Sequence, residues 1–189
     1  MTQNNFLDDA NAGHVLTSLA RHAIASSLRQ PTNEAPTAEW LLQPGASFVT
    51  LTQSGQLRGC IGSLEAWRGL GADVTGNAMA AAFDDPRFAP LTARELPITD
   101  IEVSVLSPSQ PMAFTSHQDA LAQLRPGVDG IVLSVGHRRA TFLPQVWDEL
   151  PDPAQFMAHL MRKAGLPANY WSDDVKLSRY SVTAYQEAQ

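Results

Sequence analysis

The chain has one cysteine, Cys60, in 189 residues, so it cannot form a disulfide within itself. That agrees with a reducing compartment. No apolar run is long enough to span a bilayer. Met1 to Gly13 is polar and carries Asp8 and Asp9; it has neither the basic-then-apolar order of a secretory leader nor the Arg-rich face of a transit peptide. The expected location is cytoplasmic, with no membrane partner. Basic residues are also scarce: 13 Lys and Arg stand against 19 Asp and Glu, for a formal net charge of −6 and a pI near 5.2. A surface that tracks phosphates needs clustered Lys and Arg, and the Arg138-Arg139 doublet is no cluster, so nucleic acid is disfavoured as a partner. There is no HExxH, no Cys/His pair at zinc-finger spacing, no Walker loop and no GxGxxG. No metal site is expected, and no cofactor can be named.

What is present is a globular composition, 44% hydrophobic, enough for one sizeable core. Val15, Leu16, Leu19, Ala20, Ala23, Ile24 and Leu28 recur at helical spacing, which predicts a helix over about 14–29 with Asn11 as its N-cap. Three prolines between residues 30 and 45 mark a loop anchored by Trp40, Leu41 and Leu42. Phe48–Thr52, a Ser54-Gly55 turn and Leu57–Leu64 read as a β-hairpin. An Ala-rich helix over about 72–83 ends at Asp84-Asp85-Pro86, and Arg87 is expected to form an ion pair there. Ile101, Val103 and Val105 alternate with Glu102 and Ser104 as a half-buried strand. His117–Leu124 reads as a short helix, and Gly136-His137 as the turn of a second hairpin. Asp152-Pro153-Ala154-Gln155 is a helix start with a capping box, opening a helix over about 153–164 that Gly165 and Pro167 end. Val175–Tyr185 reads as a last strand. This irregular alternation with two hairpins predicts an α+β fold, a mixed and mainly antiparallel sheet with packed helices, in a single domain of residues 1–189 with its core over about 12–186.

Arg58-Gly59-Cys60-Ile61-Gly62 is unusual inside a strand. Two glycines weaken it and suggest a bulge or the close approach of another backbone or a ligand, which makes Gly59 and Gly62 candidate binding positions. In regular alternation Arg58 and Cys60 share a face. A guanidinium beside a thiol favours the thiolate, so Cys60 is a candidate nucleophile with Arg58 as its electrostatic partner. The alternative, favoured by spacing alone, is a small buried hydrophobe. A base would have to come from His14, His22, His117, His137 or His159, none of which sequence spacing brings to Cys60. Glu102 is a candidate acid or base if desolvated, against the plainer reading of an outer-face polar residue. Asp85 and Arg87 are candidate clamp residues, against a self-contained turn. Gln145, after Leu143-Pro144, is a candidate amide donor, against a turn role.

Several of these segments occur together in one order: Phe48-Val49-Thr50-Leu51, Leu57 to Gly62, Ala81-Ala82-Phe83, Asp85-Pro86-Arg87-Phe88, Glu102 to Ser107, Leu143-Pro144-Gln145-Val146 and Lys163-Ala164-Gly165-Leu166. In this the chain resembles the AMMECR-type domain, called AmmeMemoRadiSam system protein A in bacteria, from about Ala46 to Tyr185. Leu57-Arg58-Gly59-Cys60-Ile61-Gly62 matches that family's hallmark. Arg68-Gly69-Leu70 departs from it, since the family often has Pro-Leu before the Ala-rich helix. The resemblance implies an α+β fold with a larger and a smaller lobe around a cleft. It also implies a functional role for Arg58 and Cys60, and an association with Memo-like and radical SAM proteins. It names no reaction and leaves open whether the protein is an enzyme. The expected function is a component of a radical SAM- and Memo-associated modification pathway with a cleft centred on Cys60. A non-catalytic binding or adaptor protein is the alternative, and a nucleic-acid-associated regulator ranks third because of the acidic charge.

Overall fold

Side-chain periodicity carries over into two separate hydrophobic cores. The computed structural model describes residues 9–188, and the chain divides into two compact units. One comprises Met1–Leu106 with Thr183–Gln189, the other Ser107–Val182. The elements among the described residues are α and β mixed, with antiparallel strand pairs.

In the larger unit, β1 (Pro44–Gln53) is the central strand. It pairs antiparallel with β2 (Gln56–Gly62) on one side and with β4 (Asp100–Leu106) on the other. The short β3 (Arg68–Gly69) pairs antiparallel with the start of β1, and β9 (Val182–Gln186) follows β4. The β1–β2 turn has positive φ at both Ser54 (50°) and Gly55 (76°), the geometry that matches the twist of a two-residue hairpin. Two helices cover one face of this sheet. α1 (Ala12–Ser27) contributes Leu16, Leu19, Ala20 and Ile24, and α2 (Leu70–Phe83) contributes Val74, Ala78, Ala81 and Ala82. They pack on Val49, Leu51, Ile101, Val103 and Val105, the alternate residues of β1 and β4. Period-two alternation therefore turns Phe48, Thr50, Thr52, Glu102 and Ser104 to the other face, which neither helix covers.

In the smaller unit, the strand order is β5 (Gln110–Pro111), β8 (Lys176–Tyr180), β6 (Gly130–Val135) and β7 (Arg138–Phe142). α3 (His117–Ala122) and α4 (Pro153–Lys163) complete it. The Trp147 and Phe156 rings stack at 3.7 Å in its core, and the Trp147 indole donates to the Asp129 carbonyl. Asp152 caps α4 by accepting from the N–H groups of Ala154 and Gln155. Gly165, at φ 74°, closes its other end: its N–H reaches the Arg162 carbonyl and that of Leu166 reaches Met161, the paired bonds of a Schellman motif.

Four expectations need correction. Asn11 occupies the N-cap position of α1 but has helical backbone angles and makes no side-chain cap; its own N–H donates to the Asp9 carboxylate. α2 begins at Leu70, two residues earlier than its apolar spacing suggested, because β3 hands the chain directly to it. Leu42 does not anchor the Pro-rich loop: it is 83% exposed, and Leu41 beside it is buried. The expected last strand, Val175–Tyr185, is two strands in two different sheets, β8 and β9. The break falls at Ser181, whose N–H and carbonyl bond to Ser107 where the chain first leaves the larger unit. Alternation continues across such a break, so residue pattern cannot reveal it.

Candidate functional site

The Leu57–Gly62 segment lies in the edge strand of the larger unit's sheet, and its register is interrupted. Leu51 faces Gly59 but Thr52 faces Leu57, so Arg58 is the extra residue of a β-bulge. This removes the regular alternation that would set Arg58 beside Cys60. The Arg58 guanidinium instead bonds to the Glu95 carboxylate at 3.0 Å and lies 5.9 Å from the centre of the Phe88 ring. Arg58, with Thr92 adding its hydroxyl and N–H, lowers the Glu95 pKa to about 2 against the cost of burial.

The guanidinium that reaches Cys60 is that of Arg87. Asp85 is buried just beyond α2 and accepts the Cys60 N–H at 2.9 Å, while Arg87 donates to the Cys60 carbonyl at 3.3 Å. Arg87 and Asp85 are themselves joined by two side-chain bonds, of 3.0 and 2.7 Å. Together they occupy the outward-facing backbone groups of Cys60, as a neighbouring strand would. The Arg87 bonds hold the Asp85 carboxyl well below the ordinary carboxylate range, with desolvation opposing them and the Cys60 and Arg87 N–H groups adding to the lowering. Arg87 is raised in turn, first by Asp85, with Cys60 acting in the same direction. The expected ion pair after the Ala-rich helix is therefore present, and it reaches beyond its own turn.

The two glycines answer to packing. A methyl group on Gly59 would overlap the Ala81 carbonyl of α2, and one on Gly62 would overlap the Phe48 ring directly across the hairpin. Of the alternatives read from the sequence, a bulge and the approach of another backbone both apply here.

Cys60 is half-buried, and its register partner on β1 is Thr50. The Thr50 hydroxyl donates to the Cys60 sulfur at 3.3 Å. On its other side Thr50 faces Glu102, so three adjacent strands set Cys60, Thr50 and Glu102 in one row on the face that α1 and α2 leave uncovered. Glu102 accepts from the Ser104 hydroxyl and the Gln186 amide, each at 3.3 Å. A cavity of about 220 Å³ lies along this row, lined by Thr50, Thr52, Asp100, Ile101, Glu102, Gln186 and Glu187. A larger hollow of about 470 Å³ lies elsewhere in the unit, and its one guanidinium, Arg21, is already taken up by Glu187 and by the Leu96 and Thr99 carbonyls.

Of the residues singled out from sequence, Arg58, Gly59, Cys60, Gly62, Asp85, Arg87 and Glu102 all belong to the larger unit. Gln145 belongs to the smaller one, exposed in a short 3-10 helix, Pro144–Asp148. Among the described residues no histidine bonds Cys60; His22 bonds the Asn33 carbonyl and His117 packs on Trp171. Nor do any three His, Cys, Asp or Glu side chains among them converge to hold a metal. No helix among them is long and apolar enough to cross a membrane.

Sequence reasoning passed over Thr50 and a buried network at the start of α2. Asp73, 0% exposed, accepts from the Ser47 N–H and hydroxyl, the Ser63 hydroxyl, the Asn77 amide and the Arg68 guanidinium, all within 2.9 Å. The available signal was two polar residues, four apart, inside the apolar stripe of Leu70, Val74, Ala78 and Ala81.

Comparison with known proteins finds a family model and relatives that match most of the chain. Residues 17–185 match the family model described as AMMECR1. A protein of Methanothermobacter thermautotrophicus is 36% identical over 182 residues, covering 93% of this chain and 94% of its own length. One from Thermotoga maritima is 35% identical over 160 residues, covering 83% and 86%. In three dimensions the chain is similar to the crystal structure of the uncharacterized protein PH0010 from Pyrococcus horikoshii. The TM-score is 0.75 at 31% identity, covering 93% of this chain and 91% of that one.

Proposed function

The chain belongs to the AMMECR1 family, and from that premise we propose that it is a component of a modification pathway whose working surface is the sheet face around Cys60. One observation carries the reading: a half-buried thiol lies in a row with a hydroxyl and a carboxylate, Cys60–Thr50–Glu102, beside a cavity. The Asp85–Arg87 pair holds the backbone of Cys60 on both its polar groups, which fixes where the sulfur stands. A thiol so held needs no separate ordering step before it reacts.

A second reading, a non-catalytic adaptor, has its own support. Gly59, Gly62, Asp85 and Arg87 each already have a structural partner, so the hallmark can be read as architecture that shapes a binding surface.

Alkylation separates the two. Native protein is treated with iodoacetamide at neutral pH beside protein unfolded in guanidinium. On the thiol reading, Cys60 is modified in the native state at a rate comparable to the unfolded control. Modification confined to the denatured sample removes the nucleophile and leaves the adaptor. A Memo-like protein and a radical SAM protein are the proposed partners, on family resemblance alone. Co-expression of the three with affinity capture of this chain is expected to retain at least one of them, and retention of neither counts against the pathway.

A further inference from the structure

We propose that the hollow of about 470 Å³ beside α1 is a binding site for a small uncharged molecule that carries an amide. It shares no side chain with the row at Cys60 and stands whether or not that thiol reacts. Its walls come from three segments: Arg21 and Ala25 of α1, residues 30–33 just after the helix, and Ala93, Leu96 and Pro97. The volume lies within the range of small-molecule sites, about 300–1,000 Å³. Ala25 and Leu96 are buried and, with Pro31, Ala93 and Pro97, give the hollow an apolar surface.

The wall at residues 30–33 is fixed in advance. Arg29 has φ 55°, in the left-handed region that residues with a Cβ rarely adopt, and it turns the chain back toward α1. The Gln30 N–H then reaches the Ala25 carbonyl at 2.9 Å, and the His22 ring donates to the Asn33 carbonyl at 2.9 Å. Backbone strain of this kind persists only where surrounding bonds over-determine it, and ligand clamps are among the places where it gathers.

The polar groups select the ligand. Arg21 gives its Nε proton and one Nη2 proton to Glu187, the other Nη2 proton to the Thr99 carbonyl and one Nη1 proton to the Leu96 carbonyl. One Nη1 proton is left for an acceptor. An anion there would be repelled by the Glu187 carboxylate paired with the guanidinium, and a cation by the guanidinium itself. A neutral carbonyl meets neither penalty. The side-chain amides of Gln30 and Asn33 make no hydrogen bond among the described residues. Each can donate and accept together, which is what an amide on the ligand offers in return.

The test is a nuclear magnetic resonance titration of the ¹⁵N-labelled full chain with benzamide, benzoate and benzamidine, one ring carrying a neutral, a negative and a positive group. Benzamide is expected to move the backbone N–H signals of Ala25, Gln30, Thr32, Asn33, Ala93 and Leu96 saturably, in the millimolar range that suits so small a ligand. The two ions are expected to bind about fivefold more weakly or worse. Gln30→Ala and Asn33→Ala, at exposed positions, are each expected to weaken benzamide by about fivefold, the scale of one neutral hydrogen bond. Ala93→Trp, which fills the hollow, is expected to abolish binding, and the dispersion of each spectrum establishes that the variant is folded. No saturable shift in the wild-type protein, or shifts confined to other residues, overturns the site. Equal binding of the three probes, or both amide variants binding benzamide like wild type, overturns the ligand class.

Discussion

Replacing Asp73 with alanine is expected to cost about 3–5 kcal/mol, the range for removing one partner of a buried ion pair. Its carboxylate is fully buried and serves five donors from four residues outside itself. Losing it leaves the Ser47 N–H and hydroxyl short of an acceptor and Ser63 and Asn77 with their weaker contacts to each other and to Ser47, and each unmet buried donor carries its desolvation penalty. Arg68, a quarter exposed, can turn partly to water, which puts the effect at the lower end of that range. The network joins α2 to β1 and to the residue after β2, so its loss loosens the helix that presents Asp85 to Cys60. A thermal melt followed by circular dichroism is expected to fall by about 10 °C, given the usual conversion for a chain of this size. A change of under about 2 °C would show that the network contributes little net stability.

Gly59→Ala is expected to be nearly as damaging, by about 3 kcal/mol, through overpacking. The new methyl would meet a backbone carbonyl of α2, at Ala81, and a carbonyl inside a helix cannot rotate away as a side chain can. Either α2 shifts or the strand does, and a shift of either draws Cys60 away from the Asp85–Arg87 pair, which follows α2 by two to four residues. Chemical denaturation gives the stability loss, and the alkylation rate of native Cys60 gives the local consequence. A Gly59→Ala protein as stable as wild type would mean that the strand and helix are not held at this spacing, and that the glycine is retained for another reason.

The two predictions mark the line between what was legible and what was not. The elements were read well because they depend on local rules. The stripe of α1, the Ser54-Gly55 turn, the Asp152 cap and the Gly165 stop each follow from side-chain spacing or backbone freedom within a few residues. The Asp85–Arg87 ion pair was legible for the same reason, since its partners are two residues apart. The sequence also singled out the Arg58–Gly62 segment, because two glycines flanking a cysteine in a strand are costly without a packing or binding reason.

Relations between distant segments were a different matter. The bulge that turns Arg58 to Glu95, and leaves Arg87 to reach Cys60, depends on how one strand registers against the next. That register is a sum over the whole hairpin and cannot be found from any single residue. The same holds for the split of Val175–Tyr185 between two sheets, where one continuous alternation serves two different cores. Asp73 and Asn77 interrupt an apolar stripe, and their partners Ser47 and Ser63 lie some 10 to 30 residues away in the chain. Sequence by itself determined the helices, the hairpins and the acidic balance, because propensity, periodicity and charge are properties of neighbouring residues or of the whole composition. Tertiary structure alone decided that Cys60 stands with Thr50 and Glu102 and is gripped by Asp85 and Arg87, because strand register and helix packing bring side chains together across a chain that is otherwise free to separate them.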